Sequence, residues 1–336
     1  MPAGLALARA PLGRVMMWWL GIAIALLVGL RFEVGGDWGS YVGYLIRAQE
    51  FSLAQNLALG DPGYQLLNSV AAALGAGVWF VNLVCAAVFA AGLTVFARRL
   101  PDSLLAVAVA MPYLVIVVAM GYTRQAVAIG LAMIGLAYLT DRRNAWFVFY
   151  IALAASFHKS AVLLLPFAVL ANTRRRLATS IWVGIAGAVF YLVFLAEHAQ
   201  RLWYNYVQTD YAYASEGALI RVSMNALPAA VFLLLHRRIP MTTEQRALWF
   251  WVSVFSLACL GLVMQAPTAV DRMALYFIPL QLVVWSYLPL RFVGSQRALV
   301  RYAILVFYGA VLFVWLNYAT HAFAWLPYQF WPVVGE

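Results

Sequence analysis

Long apolar stretches separated by short polar segments dominate the pattern along the chain. A membrane-spanning helix needs about 20 predominantly apolar residues, and shorter runs suit half-helices. Eleven runs qualify as spans or part-spans: 15–31, 78–97, 102–119, 122–140, 145–157, 159–171, 178–197, 219–236, 246–264, 271–289 and 298–316. The pattern predicts an all-α polytopic integral membrane helical bundle of about 10–12 spans, short half-helices included. We expect a single transmembrane domain over residues 1–336.

Two stretches outside the apolar runs, near 32–75 and 198–218, are predicted to lie on the outer face. In the first, Asp37, Tyr41, Tyr44 and Arg47 recur every three or four residues and so share one face of a helix. This spacing indicates an amphipathic helix at the membrane interface. A turn sequence at 60–64 and an apolar stretch too short to span follow it.

Residues 145–171 have arginines at both ends, at 142–143 and at 174–176. Arginine-rich ends are expected in the cytoplasm, so both ends of this segment lie there and the segment must enter the membrane and return. Each arm then has about 13 residues, or about 20 Å of helix, against a hydrocarbon core of about 30 Å. This predicts two half-helices with a turn at 157–160 that holds His158 and Lys159 inside the bundle. The alternative is one tilted span over 145–166, ended by Pro166, with a snorkelling Lys159.

Composition agrees with the hydrophobic pattern, because 65% of the residues are hydrophobic and 10% are charged. The net charge of +10 would suit nucleic acid in a soluble protein. Here basic loops that fix topology explain it better, so we expect no nucleic-acid partner. The two cysteines, Cys85 and Cys259, have neither metal-site nor disulfide spacing.

Charges divide unequally between the two sides of the predicted bundle. If the N-terminus is cytoplasmic, 15 of the 22 basic residues lie inside and nine of the 12 acids lie outside. Seven basic residues nevertheless fall on the outer side: Arg31, Arg47, Arg124, Lys159, Arg201, Arg221 and Arg272. Mixed charge near the outer ends of spans predicts a polar cavity that opens away from the cytoplasm. We therefore expect a multi-pass protein of the bacterial inner (plasma) membrane with its site on the periplasmic or outer face.

Arg124 lies between two apolar runs, beside Tyr122 and Gln125. Its guanidinium offers five donors that match phosphate oxygens, and the helix start nearby also attracts anions. The alternative is an arginine that only snorkels to the interface. His158 and Lys159 are neighbours in the sequence and could also bind an anion. Alternatively, His158 could accept a proton or only form a hydrogen bond with a backbone carbonyl.

Further candidates are acids and aromatics near the outer ends of spans. Asp271 and Arg272, with Tyr276, lie at the beginning of one span, and Arg221 lies at the beginning of another. The alternative role for Asp271 and Arg272 is an ion pair between neighbours at the membrane interface. Asp37 follows the first span and could equally be a helix cap. Outer aromatics able to stack on sugar rings are Trp38, Tyr41, Tyr44, Tyr64, Tyr122, Trp203, Tyr204 and Tyr206. These groups favour a lipid-borne anion that carries sugar-like groups.

Two sequence blocks resemble the EpsG family of bacterial exopolysaccharide polymerases. They are 121–128 (GYTRQAVA) and, about 30 residues later, 155–161 (ASFHKSA). Shorter agreements lie at Asp37 with Tyr41, at 61–64 (DPGY), at 271–273 (DRM) with Tyr276, and at 326–328 (LPY). The resemblance covers roughly residues 30–330. The loop at 198–218 and the single lysine do not obviously follow the family pattern.

The resemblance implies a membrane glycosyltransferase, similar to Wzy-type polymerases and, in layout, to the C superfamily of glycosyltransferases. Such proteins join undecaprenyl-diphosphate-linked repeat units in exopolysaccharide, capsule or O-antigen synthesis. A carboxylate in the first outer loop, here Asp37, would activate the acceptor, whereas local chemistry favours His158 as the base. Arg124, Lys159, Arg272 and Arg221 would bind the diphosphate. The remaining substrate contacts would come from Tyr41, Tyr44, Asp61, Tyr122, Gln125 and Tyr276.

The expected partners are a polyprenyl-diphosphate-linked oligosaccharide, the growing polysaccharide, membrane lipid, and a chain-length regulator or export proteins as further candidates. We expect neither a cofactor nor a metal, because arginine can stabilise a diphosphate electrostatically. Two alternatives stay open at this point. One is a transporter or flippase of lipid-linked oligosaccharides, although no internal repeat is visible. The other is a membrane acyltransferase that modifies surface glycans and uses His158 as its base.

Overall fold

The computed structural model describes residues 11–171 and 217–334, together with positions 181, 184, 185 and 188. Within these residues the regular elements are helices, and the one extended pairing is an isolated bridge between Arg31 and Phe330. The predicted span 178–197, the arginines at 174–176 and almost all of the predicted outer loop 198–218, including Trp203, Tyr204 and Tyr206, lie outside the described residues.

The first half of the fold carries eight α-helices. They are α1 (Pro11–Gly29), α2 (Trp38–Glu50), α3 (Leu53–Ala58), α4 (Pro62–Ala73), α5 (Val78–Ala97), α6 (Ser103–Ala110, continued by a π-helix over Met111–Ala119), α7 (Thr123–Thr140) and α8 (Asn144–Phe157). A 3-10 helix over Lys159–Leu164 follows α8.

The second half begins with the short α9 (Pro166–Ala171). It continues with α10 (Ala218–Leu235), α11 (Thr243–Leu262), α12 (Pro267–Ala274), α13 (Pro279–Tyr287), α14 (Gly294–Tyr318) and α15 (Trp331–Val334). Short 3-10 turns lie at His236–Arg238, Leu275–Phe277, Leu288–Arg291 and Ala322–Ala324.

Five of the described helices are long and apolar enough to cross a membrane: Val78–Ala97, Thr123–Thr140, Ala218–Arg238, Thr243–Leu262 and Gly294–Tyr318. A bent pair, Pro267–Phe277 with Pro279–Arg291, makes a sixth candidate. Four shorter apolar helices accompany them: Val15–Gly29, Ser103–Ala119, Asn144–Phe157 and Lys159–Ala171. The predicted all-α polytopic membrane bundle with short helices is therefore confirmed.

One predicted span differs in shape from the expectation. The run 271–289 is predicted as a span, and the structure bends it by 45° between α12 and α13 and begins the helical segment earlier, at Pro267. Pro279 explains the break, because proline has no N–H for the helical ladder and its ring crowds the preceding turn. The bend turns the end of α12, with Arg272, away from the axis of α13.

Helix α7 lies at the centre of the bundle, and most of its residues are buried. It packs closely on α5, where a Cβ on Gly130 would lie 2.7 Å from the Cα of Phe89. Small residues permit this kind of backbone approach between membrane helices. The packing fixes the position of Thr123 and Arg124, which begin α7.

A buried polar network ties three helices together on the other side of the bundle. The Gln281 amide donates to Asn225 at 2.6 Å, the Tyr308 hydroxyl donates to Gln281 at 2.5 Å, and the Trp285 indole donates to Tyr308 at 2.8 Å. Asn225 also donates to the carbonyl of Ala274 at 2.7 Å, at the end of α12. Buried polar groups that satisfy one another in this way fix α10, α13 and α14 around α12.

The segment around His158 is interrupted as the sequence predicts. Helix α8 ends at Phe157, His158 is extended (φ −156°, ψ 113°), and the 3-10 helix begins at Lys159. At about 1.5 Å per residue, the 14 residues of α8 extend for about 21 Å, which is too short to cross the bilayer alone. A single continuous helix over 145–166 is therefore wrong. The sequence predicts that Lys159 is enclosed in the bundle, whereas the structure shows it half-buried.

Candidate functional site

Five polar side chains from distant parts of the sequence meet around the beginning of α7. Asp37 precedes α2, Asp61 precedes α4, Arg124 begins α7, His158 lies at the break after α8, and Arg272 lies in α12. The carboxylate of Asp37 interacts electrostatically with both Arg272 and Arg124. The imidazole of His158 is within range of the same two guanidiniums. These groups therefore form one charged cluster.

Arg124 is held by a carboxylate and by aromatic rings. Its Nη1 donates to Oδ2 of Asp61 at 2.9 Å. The guanidinium lies 5.1 Å from the ring centre of Tyr44 and 5.9 Å from that of Tyr64, both within cation–π range. Lys159 acts electrostatically on the same carboxylate. The predicted residues Arg124, Asp61, Tyr44 and Lys159 are thus neighbours in space.

Arg272 is positioned by the first turn of α7. Its guanidinium lies 4.4 Å from the ring centre of Tyr122, and its Nη1 donates to Oε1 of Gln125 at 3.5 Å. The Gln125 amide in turn donates to the backbone carbonyl of Arg272 at 2.8 Å. Gln125 therefore contacts both the backbone and the side chain of Arg272, and Tyr122 covers its guanidinium.

Asp37 is half-buried, and its hydroxyl neighbour Tyr41 is fully buried. Burial raises the pKa of Asp37 above the ordinary carboxyl value. The positive charges of Arg272 and Arg124 and a hydrogen bond with Tyr41 act in the opposite direction on this pKa. The Tyr41 hydroxyl also accepts the backbone N–H of Thr123 at 2.8 Å, which links α2 to the beginning of α7.

His158 and Tyr276 contact each other across the break after α8. The Tyr276 hydroxyl lies 3.2 Å from Nδ1 of His158, and Tyr276 is buried. Both residues were predicted separately as site residues, but the sequence does not indicate that they contact each other. The contact brings the end of α8 against the turn that follows α12.

Arg221 and Asp271 form a bidentate ion pair beside this cluster. Nε and Nη2 of Arg221 each donate to one carboxylate oxygen of Asp271 at 2.8 Å. The sequence suggested that Asp271 would pair with its neighbour Arg272, whereas the structure gives it a partner 50 positions away. A two-point contact of this kind fixes both side chains and joins α10 to α12.

Several residues that shape the site were not predicted from the sequence. Arg31 is fully buried and contacts Thr123, but it was counted only among the outer basic residues. The C-terminal segment also packs here, because the Trp325 indole donates to the carbonyl of Ile116 at 2.8 Å and the Gly35 N–H donates to Ala324 at 2.8 Å. Gly35 has φ +104°, a conformation that favours glycine. A lone arginine after an apolar run and before a Gly-Gly pair was the available signal.

The described acids, histidines and cysteines do not gather into a metal site. Across 11–171 and 217–334, no group of three or more His, Cys, Asp and Glu side chains is arranged to hold a metal ion. Cys85 and Cys259 are both buried free thiols. The polar groups of the cluster are two guanidiniums, two carboxylates and an imidazole.

Comparison with known proteins identifies the family of this chain. No curated protein and no solved structure matches this chain. The model of the EpsG family, however, matches residues 15–330, which include every residue of the charged cluster. That match agrees with the resemblance carried by the two sequence blocks at 121–128 and 155–161. The chain belongs to the EpsG family.

Proposed function

We propose that this protein is a polysaccharide polymerase that joins polyprenyl-diphosphate-linked oligosaccharide units on the periplasmic or outer face of the bacterial plasma membrane. Family membership suggests an exopolysaccharide-polymerase-like function. The charged cluster supports the finer proposal, because it offers cations for a diphosphate, groups that can accept a proton, and aromatic rings.

The observation that carries the proposal is the convergence of Arg124 and Arg272 on the same small region. The two guanidiniums come from α7 and α12, 148 positions apart, yet both act on Asp37 and on His158. Paired arginines in a partly buried setting are well suited to bind the oxygens of a diphosphate. Lys159, whose charge already acts on Asp61, would add a third positive charge.

The Asp61 carboxylate shows how an anion can be held at this place. It accepts a hydrogen bond from the Arg124 guanidinium, and the positive charge of Lys159 also acts on it. Asp61 is only 7% exposed, so these two interactions stabilise a negative charge away from water. A substrate phosphate near Arg124 would accept hydrogen bonds from the same guanidinium. It would either bind Arg124 together with Asp61 or replace Asp61 as its partner.

The proposed reaction is a displacement at the anomeric carbon of one repeat unit. A hydroxyl oxygen of a second unit attacks that carbon and forms the new glycosidic bond. The bond from the carbon to the diphosphate oxygen breaks, and polyprenyl diphosphate leaves with the electron pair. Arg124, Lys159 and Arg272 would stabilise the negative charge that develops on the leaving group. The proton of the attacking hydroxyl passes to a base on the protein.

Asp37 is the better candidate for that base. Protonation of His158 would place another positive charge beside Arg124 and Arg272, whereas protonation of Asp37 removes a negative charge. Burial also raises the pKa of Asp37, which makes the carboxylate a stronger base than one in water. His158 would then position Tyr276, its contact at 3.2 Å.

The remaining residues would hold the sugars and the cations in place. Tyr44 and Tyr122 lie against the guanidiniums of Arg124 and Arg272, and Gln125 fixes Arg272. Because Arg221 is already bound at two points by Asp271, we propose that it supports α12 and acts on the diphosphate only at longer range. Tyr41 would hold the beginning of α7, because its hydroxyl accepts the backbone N–H of Thr123.

Reconstitution of the purified protein tests this proposal. The protein in lipid vesicles is incubated with a polyprenyl-diphosphate-linked repeat unit, and the products are separated on a gel. We expect a ladder of lengthening chains from the unaltered protein and none from Asp37→Asn. Asp141→Asn is the matched control, because Asp141 pairs with Arg99 at the other end of α7 and should leave the ladder unchanged. Transport of the substrate across the vesicle without any ladder would contradict the proposal and favour a flippase.

A further inference from the structure

The segment that follows α14 returns to the loop that carries the proposed base. Residues 324–331 lie against residues 30–35, which connect α1 to Asp37 and α2. Three backbone hydrogen bonds with N–H to O=C distances of 2.7–2.9 Å join the two stretches: Gly35 to Ala324, Phe32 to Gln329, and Trp331 to Leu30. Asp37 follows Gly35 by only two positions. The C-terminal segment therefore helps to fix the backbone from which Asp37 projects.

Trp325 connects the same segment to the turn that leads into α7. Its indole N–H donates to the carbonyl of Ile116 at 2.8 Å, in the π-helix that precedes this turn. Its ring also packs against that of Trp315 in α14, with ring centres 4.8 Å apart and an angle of 82° between the planes. Trp325 is only 5% exposed. These contacts hold the indole in one position between α14 and the beginning of α7.

Glycines allow the loop, the turn and the indole to touch one another directly. A Cβ on Gly121 would lie 2.5 Å from Cζ2 and 2.9 Å from Cη2 of Trp325, so the indole lies on the backbone of this residue. A Cβ on Gly35 would lie 2.3 Å from the carbonyl oxygen of Met120, so the loop and the turn are also in contact. Gly36 faces the indole, with 3.9 Å between its Cβ position and Cζ3 of Trp325. Glycine permits such close approach of the backbone.

The loop and the turn each carry a group that the proposed reaction needs. Asp37 lies two positions beyond Gly35 in the loop. Arg124 lies three positions beyond Gly121 in the turn. In the proposed displacement the base must reach the hydroxyl of one unit while Arg124 binds the diphosphate of the other. A misplacement of about 1 Å between such groups can lower a rate about 100-fold, so the packing of the loop on the turn should affect the reaction itself.

We infer that Trp325 is a positioning residue that sets the place of Asp37 relative to Arg124. It acts through the backbone, because its indole packs on Gly121 and the residue before it binds the N–H of Gly35. The inference rests on the proposed function, since it assigns a role in a reaction for which Asp37 is the base and Arg124 binds the diphosphate.

The experiment enlarges one partner of this contact and reduces the other. Gly121→Ala places a methyl group where the indole lies. Trp325→Phe removes the ring atoms Cζ2 and Cη2 that this methyl group would meet, together with the N–H that donates to Ile116. The two single variants and the double variant are purified and placed in lipid vesicles. The rate of ladder formation per folded protein, measured against the concentration of the polyprenyl-diphosphate-linked repeat unit, gives kcat and KM.

We expect kcat to fall by about 10- to 100-fold in each single variant. KM should stay within about twofold, because the cations that bind the diphosphate are all retained and the loss appears mainly in the transition state. The double variant should be at least about tenfold faster than Gly121→Ala, since phenylalanine leaves room for the added methyl group. Gly309→Ala is the matched control, because a Cβ on Gly309 in α14 meets no atom within 4 Å, and it should keep both constants.

A tryptophan that only stabilises the fold would give a different result. The variants would then yield less folded protein or unfold at a lower temperature, with an unchanged kcat for the protein that folds, and this outcome would overturn the inference. A raised KM with an unchanged kcat, or a double variant no faster than Gly121→Ala, also overturns it. If Gly121→Ala does not fold, the kcat of folded Trp325→Phe carries the test, and an unchanged value there contradicts the role of Trp325.

Failure of the proposed function is distinguishable from failure of this inference. An unaltered protein without a ladder, or an active Asp37→Asn variant, contradicts the proposed polymerase mechanism. A working unaltered protein and an inactive Asp37→Asn variant, combined with an unchanged kcat in Trp325→Phe, contradict the role of Trp325 alone.

Discussion

Burial and positive charge act in opposite directions on Asp37. Burial raises the pKa of its carboxyl group, and Arg272, Arg124 and the hydrogen bond with Tyr41 limit the rise. The proposed base works only when ionised, so activity should be full above the raised pKa and should fall as the pH drops through it. We expect the acidic midpoint of polymerisation to lie above about 4, the ordinary value for aspartate. A rate that stays constant down to that pH would contradict the assignment of Asp37.

The sequence indicated most residues of the cluster but not the way in which they pair. Arg124, Asp37, His158 and Arg272 were recognisable as polar groups at the ends of apolar runs. Their contacts could not be predicted, because Asp61 and Arg124 are 63 positions apart and Arg221 and Asp271 are 50 apart. Such pairs depend on how helices pack in three dimensions, which hydrophobic periodicity does not specify.

Helices and their breaks follow from local sequence to different degrees. Apolar runs predicted α5, α7 and α8 to within about two residues, the usual uncertainty of helix ends. The π-helix over Met111–Ala119 and the bend between α12 and α13 were not predicted. Each contains a proline near its beginning, and proline removes a helical hydrogen bond without determining which irregular geometry replaces it.

The contact between α4 and the break after α8 gives a test at the level of elements. A Cβ on Gly63 would lie 2.5 Å from Ser156 Oγ and 3.1 Å from both the Ser156 carbonyl oxygen and the Phe157 ring. Gly63→Ala should therefore push α4 away from the segment that carries Lys159, lower stability by about 1–3 kcal/mol and reduce polymerisation.

A second glycine provides the control for that substitution. Gly43 lies within α2, and a Cβ there would meet no atom within 4 Å. Gly43→Ala should leave activity unchanged and stability unchanged or higher by up to about 1 kcal/mol. Thermal unfolding in detergent and the ladder assay measure both effects. Equal behaviour of the two variants would show that the packing of α4 on the break does not matter.

The whole molecule has an asymmetric distribution of charge that predicts its orientation. The charged cluster lies at the beginning of α7, whereas the ion pair of Arg99 with Asp141 lies at the other end of that helix. The salt bridges of Arg301 with Asp102 and of Arg142 with Glu244 also involve residues predicted to be cytoplasmic. We therefore propose that the cluster faces away from the cytoplasm.

Two conservative substitutions test this orientation. Ser40 is exposed at the beginning of α2, on the predicted outer side, and Ser295 is exposed at the beginning of α14, on the predicted inner side. A membrane-impermeant maleimide applied to intact spheroplasts should label Ser40→Cys and should label Ser295→Cys only after lysis. The native thiols of Cys85 and Cys259 are buried and should react little. The reverse pattern of labelling would place the cluster in the cytoplasm and contradict the proposal.

Hydrophobic runs therefore predicted the class of fold and the family blocks predicted the neighbourhood of the site. The contribution of the C-terminal segment was not visible in either. Trp325 reaches Ile116, and Tyr328 donates to the carbonyl of Leu27 at 2.7 Å, both across about 200 positions or more. A short aromatic segment at the end of a chain carries no periodic signal that would indicate such contacts.

The most direct test of the central claim compares Arg124, at the beginning of α7, with Arg99, which follows α5 and pairs with Asp141 at the end of α7. Arg124 pairs with Asp61 in the cluster, and Arg99 pairs with Asp141 at the far end. Because Arg124→Ala alone leaves the buried Asp61 carboxylate without this partner, the double variant Arg124→Ala/Asp61→Asn is made beside it.

The measurement is polymer length together with the amount of single-unit lipid intermediate in cells that carry each variant. If guanidiniums at this site bind the diphosphate, both Arg124 variants should reach the membrane, make no polymer and accumulate the single-unit intermediate, while Arg99→Ala makes polymer of normal length. Polymer of normal length from folded Arg124→Ala would contradict the account.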